Sequence, residues 1–251
     1  MKKYDLNDVT FLLVVRLDTI ERLENTLHVA SFLHAHFQAQ VLLWEVADYS
    51  NGFLTRLIPR GVTYVFCQDY DPVLYRTRYL NDMVRSANTS FVSVWDVDVV
   101  VPPEQVFETM RLLRGGSDFV YPYDRHFYDT TDELRRIYLQ SGGDMNILEE
   151  HTAFMQSLYA PNPVGGVFFA NRQSYIESGL ENESFYGWGL EDGERYNRWK
   201  NLDYKVSRVR GDAFHLTHPR LENSNMGDAY MSIMKKRELM SSLKRTLWKK
   251  Y

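Results

Sequence analysis

The chain has 251 residues, 44% of them hydrophobic and 25% charged, with a formal net charge of −4 and one cysteine, Cys67. This length buries a sizeable core and fits one large domain, and the ordinary apolar and charged fractions exclude large-scale disorder. A lone cysteine excludes an intramolecular disulfide and a cysteine-rich zinc cluster, and no apolar run is long enough for a membrane span or a cleaved signal peptide. A reducing compartment is permitted but not required, and no nucleic-acid partner is expected.

Residues 9–15 read as a buried strand. Asp18 or Thr19 then caps a helix whose apolar periodicity runs through Ile20, Leu23, Leu27, Ala30, Phe32 and Phe37. Strands follow at 40–46 and 62–67, a helix at 73–87, and a strand over 90–101. Such alternation implies an α/β protein with a largely parallel sheet and helices on its faces. Beyond Pro102 and Pro103, residues 104–113 read as a helix and 118–121 as a return to the sheet. The aromatic-rich stretch 122–162 breaks the rhythm. It reads as an insertion or lid, with Ile147, Phe154, Met155 and Leu158 at helical spacing. A strand at 165–170, a helix at 191–201 and a strand at 204–209 complete the order.

Three clusters carry chemistry. Trp95-Asp96-Val97-Asp98 sets two carboxylates into an apolar, β-branched run, where buried charge is costly unless a cation or hydrogen-bond donors meet it. If strand geometry persists there, Asp96 and Asp98 face the same way at the carboxyl end of a strand, where open α/β sheets bind ligands. Hard oxygen ligands suit Mg²⁺ or Mn²⁺, which neutralise a diphosphate leaving group. Acidic pairs also cap strands and open turns, so this motif alone is weak.

In Gly187-Trp188-Gly189-Leu190-Glu191-Asp192, glycines let the backbone turn sharply around an indole, and two carboxylates follow at a helix start. The helix dipole favours an ionised Asp192 there, ready to accept a proton. The bland alternative is a pair of helix caps and a core tryptophan. Third, His215 and His218 lie three apart after a strand and can reach one metal, although a lone histidine is more often structural.

With these residues in view, the chain resembles the GT-A glycosyltransferases, specifically the β-1,4-galactosyltransferase group and bacterial polymerases of the chondroitin-synthase type. The resemblance runs over residues 9–225 and is strongest from Gly165-Gly166-Val167 through Ser178-Gly179-Leu180-Glu181-Asn182 to Arg198. It implies a single Rossmann-like mixed sheet flanked by helices, a catalytic domain over 1–230, and Mn²⁺ or Mg²⁺ as cofactor. It further implies that Asp98 and His218 bind the metal, with His215 a further candidate ligand, and that Asp96 lies near the metal and ribose. Asp192 would be the catalytic base, Trp188 and Glu191 would hold the acceptor sugar, and Arg16, Arg76 and Asn81 would border the nucleotide. Three residues depart from the pattern: His215 replaces a methionine, Gly193 an acidic residue, and Pro163 a commonly aromatic position that helps choose the donor.

The implied activity is inverting transfer of a hexose or N-acetylhexosamine from a UDP-sugar to a glycan or glycolipid acceptor, in bacterial polysaccharide or glycoconjugate synthesis. A non-catalytic sugar-nucleotide or glycan-binding module on the same fold is one rival. A nucleotidyltransferase or metal-dependent phosphohydrolase is another, although neither needs the Trp188 segment. Residues 231–251 hold seven Lys or Arg against Glu238 alone, with Met240, Leu243, Leu247 and Tyr251 at helical spacing. This reads as a basic amphipathic helix, either packed on its own domain or lying on an anionic membrane surface.

Overall fold

A computed structural model describes residues 3–159, 161–221 and 223. The basic segment 231–251, with its membrane-contact reading, lies outside the described residues. Among them, no helix is long and apolar enough to cross a membrane.

The first half of the chain alternates strand and helix: β1 (Tyr4–Val15), α1 (Ile20–His36), β2 (Phe37–Ala47), α2 (Phe53–Leu57), β3 (Val62–Gln68), α3 (Arg76–Ser86) and β4 (Phe91–Trp95). Then come β5 (Val99–Val100), α4 (Pro103–Arg114), β6 (Phe119–Tyr121), β7 (Phe127–Asp129), α5 (Asp132–Gln140), α6 (Met145–Glu150) and β8 (Gln156–Leu158). The remainder is β9 (Val167–Asn171), α7 (Arg172–Glu177), α8 (Glu191–Asn201), β10 (Val206–Arg208) and β11 (Ala213–His215). Thr19 is the α1 cap, its hydroxyl accepting from the Arg22 amide.

Seven strands form the main sheet in the order β10-β6-β9-β4-β1-β2-β3. β1 pairs in parallel with both β2 and β4, which explains why residues 9–15 are apolar without alternation: both faces of a central parallel strand are covered. β9 runs antiparallel to β4 and β6, so the sheet is mixed. The chain goes outward from β1 to β3 on one side and resumes at β4 on the other, and the gap between β1 and β4 is a topological switch point.

A second, four-stranded sheet, ordered β5-β11-β7-β8, stands beside the first. It is absent from the sequence reading because its strands are two or three residues long, too short to show a period. The helical spacing within 147–158 does not form one helix. α6 ends at Glu150, a 3₁₀ turn follows at Thr152–Phe154, and Gln156–Leu158 is strand β8.

The predicted strand over 90–101 is likewise interrupted. β4 ends at Trp95, and a tight turn closed by the Val99 amide on the Asp96 carbonyl carries the chain into the second sheet. Asp96 and Asp98 therefore converge through a turn and not through a shared strand face. Trp95 holds the turn from below: its buried indole packs edge-on against Phe11 and Phe169 and donates to the Val99 carbonyl at 2.8 Å. Trp95→Phe keeps most of the apolar volume but leaves that carbonyl without its donor. Urea unfolding of the variant should show a loss of about 1–3 kcal/mol, the range for an abandoned buried acceptor.

Candidate active site

A cavity of about 410 Å³ opens at the carboxyl ends of β1 and β4. Arg16, Arg76, Asp96, Asp98, Trp188, Glu191, Asp192, His215 and His218 all line it. Of the residues named from the sequence, only Asn81 is elsewhere. Its buried side chain is spent on the 181–183 loop, donating to the Glu181 carbonyl and Glu183 and accepting from the Glu181 amide.

Asp98, His215 and His218 are all buried, and their ligand atoms lie within 4.8 Å of one another. Residues 117 positions apart meet because β11 pairs with β5, setting His215 opposite Val99, and because the Leu216 amide donates to the Asp98 carbonyl at 2.7 Å. The outward ring nitrogen of each histidine is committed to an acceptor. His218 Nδ1 donates to the Pro219 carbonyl, which can only accept, and His215 Nδ1 donates to Asp129 at 2.7 Å.

The other ring nitrogen, Nε2, faces the Asp98 carboxylate, at 3.7 Å for His215 and 3.1 Å for His218. A divalent cation between them would take both Nε2 lone pairs and a carboxylate oxygen. Burial pushes the Asp98 pKa upward, but His215, His218 and Arg22 outweigh it and hold the carboxyl well below the usual range. One carboxylate oxygen and two imidazole nitrogens fit Mn²⁺, and two nitrogens make the set less suited to Mg²⁺, which prefers oxygen.

Asp96 forms an ion pair with Arg76, and a third of its side chain faces the cavity. Burial is the largest cause raising its pKa; Arg76 opposes this, and Asp98 and Asp192 add to it. Arg16, just past β1, is clamped by the carbonyls of Val46 and Asp71, while its Nη2 is buried with no partner among the described residues.

The Gly187–Asp192 segment takes left-handed conformations at Gly187, Gly189 and Leu190, with φ of 72°, 108° and 73°. Leucine is disfavoured in that region, and such strain persists only where the surroundings enforce it. The turn delivers Glu191 and Asp192 to the first turn of α8. The helix itself is anchored by Trp199, stacked on Phe119 with ring centroids 3.7 Å apart. One oxygen of Asp192 accepts from Arg195 at 2.6 Å. The other lies 2.7 Å from where a Cβ on Gly165 would stand, so only glycine leaves the carboxylate its place. Arg195 is itself buried over the Phe168 ring and held by both oxygens of Glu181. Asp192 thus has one oxygen fixed and the carboxylate turned to the cavity.

No curated protein sequence matches the chain. A family model described as the N-terminal domain of galactosyltransferase matches residues 148–221. The catalytic domain of Drosophila β-1,4-galactosyltransferase 7, solved with xylobiose, is similar with a TM-score of 0.56 at 15% identity, over 91% of this chain and 79% of that one. Glucosyl-3-phosphoglycerate synthase from Mycobacterium tuberculosis, solved with Mn²⁺, UDP and phosphoglyceric acid, gives 0.52 at 16% identity, over 95% and 78%. A mannosyltransferase from Pyrobaculum calidifontis, solved with GDP-mannose and Mn²⁺, gives 0.56 at 12% identity, over 96% and 72%.

The chain has the GT-A glycosyltransferase fold.

On this GT-A scaffold three site residues escaped the sequence reading. Asp129 sits opposite His215 in the parallel β7–β11 register and orients its ring, so the stretch read as an insertion supplies a partner to a candidate metal ligand. Arg195 orients Asp192; its only sequence signal is the i, i+3 spacing from that aspartate. Arg22 approaches Asp98 and His218 from α1. In Asp129→Asn the carboxylate that fixes the His215 tautomer is lost. Such outer partners are worth roughly 10–100-fold in metal affinity, so calorimetric titration with Mn²⁺ should show a weakening of about that size at unchanged melting temperature.

Glu191 is buried, with Oε2 lacking a protein partner, and burial first and Asp192 second raise its pKa to about 7 from the ordinary 4.5, against Arg76. Between those values the folded chain keeps a proton that the unfolded chain releases, so stability falls as pH rises through the window. The penalty is complete above about 7 and absent below about 4.5. Glu191→Gln removes it. Denaturant unfolding should show the variant gaining roughly 1–3 kcal/mol on the wild type between pH 5 and pH 8.

Proposed function

We propose that the protein is a metal-dependent inverting glycosyltransferase that moves a hexose or N-acetylhexosamine from a UDP-sugar to a hydroxyl of a glycan or glycolipid, in bacterial polysaccharide or glycoconjugate synthesis. One observation carries the reading: a single cavity holds both the buried Asp98–His215–His218 cluster and the carboxylate of Asp192. The similar solved structures with bound UDP or GDP-mannose and Mn²⁺ support it.

Asp98, His215 and His218 would hold a divalent cation, which neutralises the charge developing on the diphosphate. Arg76 keeps its positive charge through burial by pairing with Asp96, and it adds to the positive field on the nucleotide side of the cavity. Asp192 takes the proton of the acceptor hydroxyl. The freed oxygen bonds to the anomeric carbon as the bond from that carbon to the diphosphate oxygen breaks, and the electron pair leaves with the diphosphate. Attack opposite the leaving group converts an α-linked donor into a β-linked product. Arg195 fixes the direction of Asp192, and Trp188 offers an apolar face to the C–H side of a sugar.

The test pairs UDP titration, with and without Mn²⁺, with a panel of UDP-sugars scored for UDP release in the wild type and Asp192→Asn. The expected outcome is Mn²⁺-dependent UDP binding by both proteins, with release by the wild type at least about 10³-fold faster, as for loss of a general base. Equal release by both would remove Asp192 from the mechanism. Binding without release from any donor or acceptor tried would favour a sugar-nucleotide-binding module.

A further inference from the structure

Arg22 has no role in the mechanism above, yet its guanidinium lies against the metal ligands. Its side chain is almost buried, at 11% exposure, and lines the same cavity. Nε donates to Asp18 at 2.8 Å, tethering the group within α1 and the turn that precedes it. Nη1 lies 3.7 Å from Asp98 Oδ2, and Nη2 donates to His218 Nε2 at 3.5 Å. These two acceptors are ligand atoms that a divalent cation would use.

The guanidinium and the metal therefore compete. With Asp98 and His218 given over to a divalent cation, the Nη groups lose those acceptors, while the Asp18 tether keeps the charge in the cavity. A guanidinium and a divalent cation at such range repel unless an anion lies between them. A diphosphate is that anion, and the planar donor fork of arginine suits phosphate oxygens.

Resting on the nucleotide-sugar reading of the cavity, we propose that Arg22 is a second cationic ligand of the donor's diphosphate, pairing with Asp98 and His218 until the metal takes them. Arg22 then weakens binding of the metal alone and strengthens binding of the metal together with the nucleotide. It makes the two ligands interdependent, and by linkage each raises the affinity of the other by the same factor.

Calorimetric titrations of the full chain with Mn²⁺ alone, with UDP in saturating Mn²⁺, and with Mn²⁺ in saturating UDP test this in the wild type, R22Q and R22K. In R22Q, Mn²⁺ alone should bind about fivefold tighter, the effect of removing one like charge a few ångströms away in a partly solvated site. UDP in Mn²⁺ should bind about tenfold weaker, and the factor by which UDP improves Mn²⁺ affinity should fall accordingly. R22K keeps the charge without the fork and should fall between the two; it also carries the test if R22Q does not fold. Were Arg22 only a brace for His218, R22Q would bind Mn²⁺ alone more weakly, and that result overturns the proposal. An unchanged coupling factor overturns it as well, while leaving the transferase reading standing. Failure of the wild type to bind UDP in Mn²⁺ would instead remove the nucleotide-sugar reading together with the role of Arg22.

Discussion

A buried carboxylate and two buried imidazoles that converge on one point are the constraint on which the rest of the site depends. In Asp98, His215 and His218 the outer nitrogen of each imidazole is committed elsewhere and its inner nitrogen faces the carboxylate. Much of the surrounding structure is needed to keep them there. The turn after β4 lifts Asp98 off the main sheet, and the antiparallel β5–β11 pair brings His215 to it. Asn25 and Arg135 secure the segment between the two histidines: Arg135 donates to the Asn25 side-chain oxygen, and the Asn25 amide donates to the Leu216 carbonyl.

This arrangement changes the meaning of residues 122–162. Their position after the Rossmann-like half of the chain suggests an insertion hung over the acceptor side. Their first part in fact carries β7, whose Asp129 orients His215, and Thr130, whose amide and hydroxyl bond to the backbone at His215 and Thr217. Phe127 of β7 borders the cavity, as does the later part around Leu158, Asn162 and Pro163. The same stretch thus builds a wall of the cavity and holds His215 in place.

On the opposite side of the cavity, α8 solves a comparable problem for Asp192. Its cluster of charges is tolerable because Arg195 lies between Glu181 and Asp192, sharing one guanidinium between two carboxylates over an aromatic ring. Glu191 has no such partner for its second oxygen among the described residues, and burial raises its affinity for a proton.

The sequence alone determined the order of the long elements and named nine of the residues that line the cavity. The reasons are local: β1 is a continuous apolar run, α1 carries an apolar periodicity, and clusters such as Trp95–Asp98 and Gly187–Asp192 combine residue types that are costly to place together without a use. It could not determine how those clusters meet. Two-residue strands have no period, so the second sheet was invisible, and with it the pairing that brings Asp129 to His215. Asn81 looked like a nucleotide contact because a side chain's partners depend on which loop packs against its helix. Arg22 and Arg195 were not singled out by the sequence, and only the fold sets them beside carboxylates. Local pattern records what a segment can form, whereas the direction in which a polar side chain spends its hydrogen bonds is decided by neighbours a hundred residues away.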